Sequence, residues 1–267
     1  MTILDKIIEA KKEEIARQKK LVDIEILREI PDFTRRCISL KANLLKENSA
    51  GIIAEFKQKS PSKGDINLSA KVEEVTKAYV EAGAAGLSVL TEPKFFGGSQ
   101  ANLVKARETN PDIPILRKDF MIDPYQLVEA KAYGADVILL IAACLEKGQA
   151  EKLAKEAKIL GMEVLMEVHN EEELEKINDF VDMVGVNNRN LKTFEVNIET
   201  SVRLGKMIPD RFVTISESGL TGAKEIYYLR ENGFKGFLIG ETFMKTKNPG
   251  EACKKFIAQI SPPASSK

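Results

Sequence analysis

Eight short apolar runs, each breaking into a polar cluster, recur between residues 51 and 241, with helical stretches set between them. The runs are 52–56, 86–90, 113–116, 137–141, 163–166, 183–186, 212–215 and 237–239, and helical patterning covers 72–81, 124–133, 148–160, 171–179, 198–207 and 223–231. Gly83, Gly134, Gly161 and Gly233 stand where such helices would stop. Strands that alternate with helices pair in parallel through right-handed crossovers. Eight such units in about 210 residues predict a closed (β/α)8 TIM barrel, a fold of about 250 residues. The competing open doubly wound sheet would carry a Gly-x-Gly-x-x-Gly turn after its first strand, and this chain has none there.

The first fifty residues follow a different pattern. Ile3, Leu4, Ile7, Ile8 and Ile15 recur at helical spacing among Lys and Glu, Pro31 interrupts, and Phe33, Leu40, Leu44 and Leu45 suggest a second short helix. The expectation is a single barrel domain over 1–267, with residues 1–50 as a helical extension packed on it and carrying no chemistry.

Bulk composition narrows the function. Lys plus Arg and Asp plus Glu number 40 each, so there is no electrostatic footprint for nucleic acid or for an anionic membrane. The longest apolar run, 137–145, is too short to cross a bilayer, and the charged start lacks a signal-peptide core. Three widely spaced cysteines without a Cys-x-x-Cys pair fit reduced thiols, and a cytoplasmic protein is expected. A single histidine, His169, excludes histidine-rich zinc sites.

In such a barrel the active site lies at the carboxyl ends of the strands. Those ends read Glu55-Phe56-Lys57, Thr91-Glu92, Arg117-Lys118-Asp119-Phe120, Glu167, Asn187-Asn188-Arg189, Ser216-Glu217-Ser218-Gly219 and Gly240-Glu241. A purely structural barrel has no need of charge at so many ends of one face, so the pattern points to an enzyme. Glu55 and Lys57, two apart on a strand, share a face. Lys57 and Lys118 can each serve as general acid, as anchor for a substrate carboxylate or as Schiff-base nucleophile. Glu55, Glu167 and Glu217 are candidate bases or charge partners, and a ring of structural salt bridges is the plain alternative. Asn187 can hold a hydroxyl, and Arg189 can clamp an oxyanion or a glutamate. Gly219 and Gly240, at the ends of strands seven and eight, suit a phosphate cradle, so a phosphorylated small molecule is the expected substrate. Lys63, with Ser60, Pro61 and Gly64, forms either a lid or an ordinary turn. His169 reads as peripheral. Phe120 and Leu90 offer either a wall for an aromatic ring or plain core.

Seven motifs in order carry a family resemblance: I-I-A-E-F-K-Q-K-S-P-S-K-G, S-V-L-T-E, L-R-K-D-F, L-M-E-V-H, V-N-N-R-N-L, S-E-S-G and F-L-I-G-E. Together they resemble indole-3-glycerol phosphate synthase over essentially the whole chain. The resemblance implies conversion of 1-(2-carboxyphenylamino)-1-deoxyribulose 5-phosphate to indole-3-glycerol phosphate in tryptophan biosynthesis, with loss of carbon dioxide and water and without cofactor or metal. It implies Lys118 as general acid at the ketone oxygen, Lys57 at the substrate carboxylate and leaving hydroxyl, and Glu167 as base. Glu55, Asn187, Arg189, Glu217 and Ser218 match the supporting polar ring. Gly219, Gly240 and the backbone at Glu241 match the phosphate site, with Ser60 near the substrate; Phe120, from its place at a strand end, is the candidate surface for the substrate's ring. No nucleic-acid or membrane partner is expected, and a monomer is favoured over an oligomer. Two features depart from the family pattern: a carboxylate at Glu241 beside the phosphate site, and the polar Thr214-Ile215-Ser216 before S-E-S-G. A sugar-phosphate isomerase, a Schiff-base aldolase or a non-catalytic metabolite-binding barrel are the rival readings.

Overall fold

A parallel strand hides both faces, one against the barrel interior and the other against the helices, so its side chains are apolar throughout until the chain emerges at the mouth. In the computed structural model, which describes residues 2–260, eight strands behave this way. They are β1 (Ile52–Phe56), β2 (Gly86–Leu90), β3 (Ile115–Lys118), β4 (Val137–Ile141), β5 (Glu163–Val168), β6 (Met183–Asn187), β7 (Val213–Glu217) and β8 (Gly236–Ile239). Each pairs in parallel with its neighbours in sequence, and β8 returns to β1, closing a (β/α)8 barrel. The ends of the expected 1–267 span, residue 1 and residues 261–267, lie outside the described residues.

Alternation sorts the side chains into two cores. Ile53, Leu116, Leu139, Leu165, Met183, Ile215 and Leu238 fill the interior. Ile52, Ala54, Phe56, Leu87, Val89, Leu140, Val164, Met166 and Ile239 face the helices. Several strands run further than the apolar pattern indicates, because β5, β6 and β7 carry their hydrogen-bonded ladder on through Glu167, Asn187 and Glu217. Conversely, the helix expected over 171–179 covers only Glu171–Leu174. A helix over Gln100–Thr109, whose apolar patterning is weak, joins β2 to β3.

The amino-terminal segment spans the barrel from end to end. Helix α1 (Ile3–Leu21) starts on a Thr2–Asp5 capping box. Helix α2 (Ile24–Glu29) buries Leu27 against Tyr125, Val128 and Ala132 of the helix Pro124–Ala132. Helix α3 (Leu40–Leu44) plugs the bottom, where the Glu163 carboxylate accepts from the backbone N–H groups of Leu40 (2.8 Å) and Lys41 (3.0 Å) while Leu40 and Leu44 enter the interior core. An acidic acceptor at a helix start satisfies otherwise orphaned donors.

Candidate active site

Because strand side chains alternate, Glu55, Lys118, Glu167, Asn187 and Glu217 continue the inward series of Ile53, Leu116, Leu165, Gly185 and Ile215. They converge at the mouth. The Lys118 ammonium lies 2.6 Å from Glu167 Oε2 and 2.7 Å from Glu217 Oε2. Asn187 Nδ2 donates to Glu167 Oε1 at 3.0 Å. Lys57 Nζ sits 2.8 Å from Glu55 Oε1, and Ser88 Oγ donates to Glu55 Oε2 at 3.3 Å. Gly185 keeps the space open: a Cβ there would stand 2.4 Å from Glu217 Oε1.

The charges are strongly interdependent. Burial disfavours the Lys118 ammonium, but the Glu167, Glu217 and Glu55 carboxylates outweigh it and raise its pKa above the usual lysine value. Burial likewise disfavours the Glu167 anion, and Lys118 with His169 reverses that and holds its pKa well below the usual carboxylate range. Glu217 goes the other way. Burial, reinforced by Glu167 and Glu55, outweighs Lys118 and pushes it up to about 7. Two carboxylates on one lysine thus have separated proton affinities, the pattern that marks acid–base sites.

The cavity above these groups has an apolar wall and a polar floor. Ile3, Leu4 and Ile7 of α1 line it together with Phe96, Phe120 and Ile141. The Phe96 and Phe120 rings lie 6.0 Å apart at 42°. Four strands round the ring from β3, Ser218 (φ 70°) and Gly219 (φ 78°) form two successive left-handed residues after β7. Positive φ at both residues turns the chain sharply at the cavity edge, and a glycine there lets backbone approach a ligand closely. Gly240 caps the short helix Glu241–Met244 beside it. The Glu241 carboxylate lies 3.6 Å from Lys63 and 3.6 Å from Arg189. Ser60 lines the same cavity, its buried hydroxyl without a hydrogen-bond partner.

The sequence matches the family model described as indole-3-glycerol phosphate synthase over residues 4–256. The chain belongs to the indole-3-glycerol phosphate synthase family. Relatives carrying that name include a Bacteroides thetaiotaomicron protein, 49% identical over 97% of this chain and 98% of its own. One from Acinetobacter baumannii is 43% identical over 97% and 96%, and one from Salinibacter ruber is 42% identical over 97% and 96%. Among solved structures, 3-hexulose-6-phosphate synthase from Salmonella typhimurium superposes with a TM-score of 0.63 at 11% identity, covering 79% of this chain and 98% of that one. A tryptophan synthase α-subunit from Pyrococcus furiosus superposes at 0.57 and 17% identity, covering 80% and 98%. These last two share the barrel fold.

Against the family pattern, the structure brings Glu55, Lys57, Lys118, Glu167, Asn187, Arg189, Glu217, Ser218, Gly219, Gly240, Glu241, Ser60 and Phe120 to one cavity. Other polar side chains at strand ends are taken up by partners of their own. Arg117 reaches Glu129 (2.7 Å) and Asp119 (3.0 Å), Glu92 caps the helix Pro93–Phe96, and Asn188 bonds Ser216 and Ser201 behind β6. The polar residues 214–216 are thereby accounted for: Ser216 belongs to that buried cluster, and Thr214 Oγ1 donates to the Gly233 carbonyl. Two expectations are corrected. The extension does contribute to the site, since α1 walls the cavity and its Lys11 is buried 2.8 Å from Asp119, next to Lys118. The signal was present: Lys11 falls between Ile7 and Ile15 on the buried stripe of α1. His169 is not peripheral, since it continues the inward series past Glu167, and its Nε2 lies 3.1 Å from Glu167 Oε1.

Among the described residues no helix is long and apolar enough to cross a membrane.

Proposed function

We propose that the protein closes an indole ring, converting 1-(2-carboxyphenylamino)-1-deoxyribulose 5-phosphate to indole-3-glycerol phosphate as a decarboxylating carbon–carbon lyase of tryptophan biosynthesis. The observation that carries this reading is the Lys118 ammonium held between Glu167 and Glu217 at the cavity floor. An ammonium kept charged at the cavity floor stabilises negative charge developing on a ketone oxygen, and it passes its proton across once that charge makes the oxygen the stronger base. It is poorly suited to Schiff-base attack, which needs the neutral amine. This disfavours the aldolase alternative.

The rest of the cavity fits the same substrate. The apolar wall of Ile3, Leu4, Ile7, Phe96 and Phe120 suits the carboxyphenyl ring. Lys57 would hold the ring carboxylate until it departs as carbon dioxide. In the first step the aromatic carbon bearing the carboxylate attacks the ketone carbon while Lys118 gives its proton to the oxygen. Loss of carbon dioxide restores the aromatic ring. Dehydration follows, with Glu167 taking a proton from the new ring and Lys57, which still holds its proton, protonating the departing hydroxyl. Asn187 and Glu217 keep Glu167 and Lys118 aligned, and Glu55 does so for Lys57. The left-handed pair Ser218–Gly219 and the backbone at Gly240 and Glu241 would take the phosphate, with Arg189 and Ser60 at its approach. Glu241 repels a phosphate unless its carboxylate stays with Lys63 and Arg189, where it sits. On this reading residues 1–50 and the barrel act as one unit, in a monomeric cytoplasmic enzyme.

The test is direct. Indole fluorescence should rise when the protein is mixed with the substrate. Lys118→Ala should lose about 10²–10⁴-fold in kcat, and Glu167→Gln a comparable amount. Unchanged turnover in both variants would refute the roles, and a covalent adduct trapped by borohydride at Lys118 would favour the aldolase.

A further inference from the structure

His169 is the single histidine of the chain, and its ring lies between two carboxylates. Nδ1 is 3.1 Å from Glu173 Oε2, and Nε2 is 3.1 Å from Glu167 Oε1, an ionic contact whose angle falls outside hydrogen-bond geometry. The side chain is 9% exposed. Glu173 is itself immobilised. It accepts from the His169 backbone N–H (2.8 Å) and from Asn170 Nδ2 (2.9 Å), and its own N–H donates to Asn170 Oδ1 (3.0 Å) at the start of the helix Glu171–Leu174. A neutral imidazole has one N–H and one bare lone pair, and a bare lone pair facing a carboxylate is repelled. Nδ1 is matched by Glu173, and two carboxylates within 3.1 Å of the ring, one beside each nitrogen, favour its doubly protonated form through their charge.

The geometry points to His169 as a positioning residue: a fixed cation that, braced by Glu173, keeps Glu167 ionised and oriented once Lys118 has given its proton to the substrate. This rests on the roles proposed above for Lys118 and Glu167. Lys118 is the nearest countercharge of Glu167. When it becomes neutral, Glu167 and Glu217 would be left as two adjacent buried carboxylates competing for one proton, and a cation on Glu167 alone directs that proton to Glu217. A base that has already captured a proton cannot perform the dehydration. His169 supplies a charge that the reaction does not consume, on the oxygen that also accepts from Asn187. Burial opposes its charged form, but Glu167 and Glu173 prevail and raise its pKa to about 9.

The other titratable groups around this ring are few. Lys118 and Glu217 lie beyond Glu167. Cys144, after β4, has a thiol pushed up first by burial and then by Glu167 and Glu173, so it stays neutral. Lys176 donates to the Ala142 carbonyl nearby.

Because the chain has one histidine, its imidazole resonances in an untagged protein report this group alone. The experiment pairs that NMR titration with pH profiles of kcat and kcat/KM for wild type, His169→Asn, Glu173→Gln and Glu167→Gln, with folding checked by circular dichroism. The expected imidazole pKa is about 9 in wild type and lower in both glutamine variants. His169→Asn should lose about ten- to hundred-fold in kcat, and its acid limb should move up by about one pH unit as Glu167 loses a countercharge. Glu173→Gln should pull the alkaline limb down. The inference is overturned by an imidazole that titrates near its ordinary 6.5 and ignores Glu167→Gln, or by a folded His169→Asn with unmoved pH limbs. An active Glu167→Gln would instead sink the underlying assignment of the base, and the inference with it. If wild type turns over, Glu167→Gln is inactive and His169→Asn behaves as wild type, only the inference fails.

Discussion

Replacing Lys11 with Met tests whether the α1 wall is held by charge. The Lys11 side chain is 1% exposed, and its ammonium lies 2.8 Å from both Asp119 Oδ1 and Glu14 Oε2. Burial disfavours that ammonium, and Asp119 and Glu14 overcome the penalty and raise its pKa. Methionine keeps the packing of the stem and removes the charge. Asp119 would be left fully buried with Arg117 Nη2 (3.0 Å), Thr91 Oγ1 (2.5 Å) and the Phe120 N–H (2.8 Å). Breaking a buried pair costs about 3–5 kcal/mol. With three donors remaining on Asp119, the lower end applies, about 3 kcal/mol. At about 2–4 °C per kcal/mol for domains of 150–250 residues, the melting temperature should fall by about 6–12 °C. Calorimetry of wild type, Lys11→Met, Glu14→Gln and the double variant measures this, and the double variant should be less destabilised than the two single changes summed. KM should rise more than kcat falls, because Ile3, Leu4 and Ile7 line the cavity on the same helix. A Lys11→Met protein that melts within about 1 °C of wild type, with unchanged KM, would refute the idea that this pair anchors the wall.

Three further outcomes follow from the geometry. Gly185→Ala places a Cβ 2.4 Å from Glu217 Oε1, so the carboxylate must shift and its alignment on Lys118 is disturbed; turnover should fall by about tenfold or more with little loss of secondary structure, measured by steady-state kinetics and circular dichroism. Gly219→Ala combines φ +78° with a 2.4 Å approach to Val196 Cγ1, and inhibition by inorganic phosphate should weaken by about tenfold or more. Glu217 binds its proton more tightly in the fold (about 7) than at its ordinary 4.5. The native state therefore holds the extra proton between those values, so this group's contribution to stability declines as pH rises through that window. Denaturant titrations from pH 4 to 8 should show that decline in wild type and a flatter curve in Glu217→Gln.

Much of the site was legible because its chemistry sits where two periodicities meet. Charge appearing on an otherwise apolar strand marks the end of the buried segment, and Glu55, Lys118, Glu167, Asn187 and Glu217 each occupy such a place. Arg117, Asp119 and Glu92 look the same in one dimension. Arg117 and Asp119 are turned to the helix layer by strand phase, which short apolar runs specify poorly when both faces are buried, and Glu92, past the end of β2, is turned to cap the helix Pro93–Phe96. The helix Gln100–Thr109 is poorly marked in one dimension because a polar residue, Arg107, shares its buried face with Leu103 and Ala106.

By itself the sequence determined the repeating strand–helix order, the closure into a barrel and the set of polar side chains at its mouth, since these follow from local periodicity and from which residues tolerate burial. Tertiary structure alone decided the pairings: Lys118 with both Glu167 and Glu217, Lys11 with Asp119 across more than a hundred residues of chain, and His169 against Glu167. Those contacts depend on which strands become neighbours and how their registers stagger around a closed ring. Coulombic energy in a buried site varies over fractions of a nanometre, whereas hydrophobic patterning records only which face a residue takes.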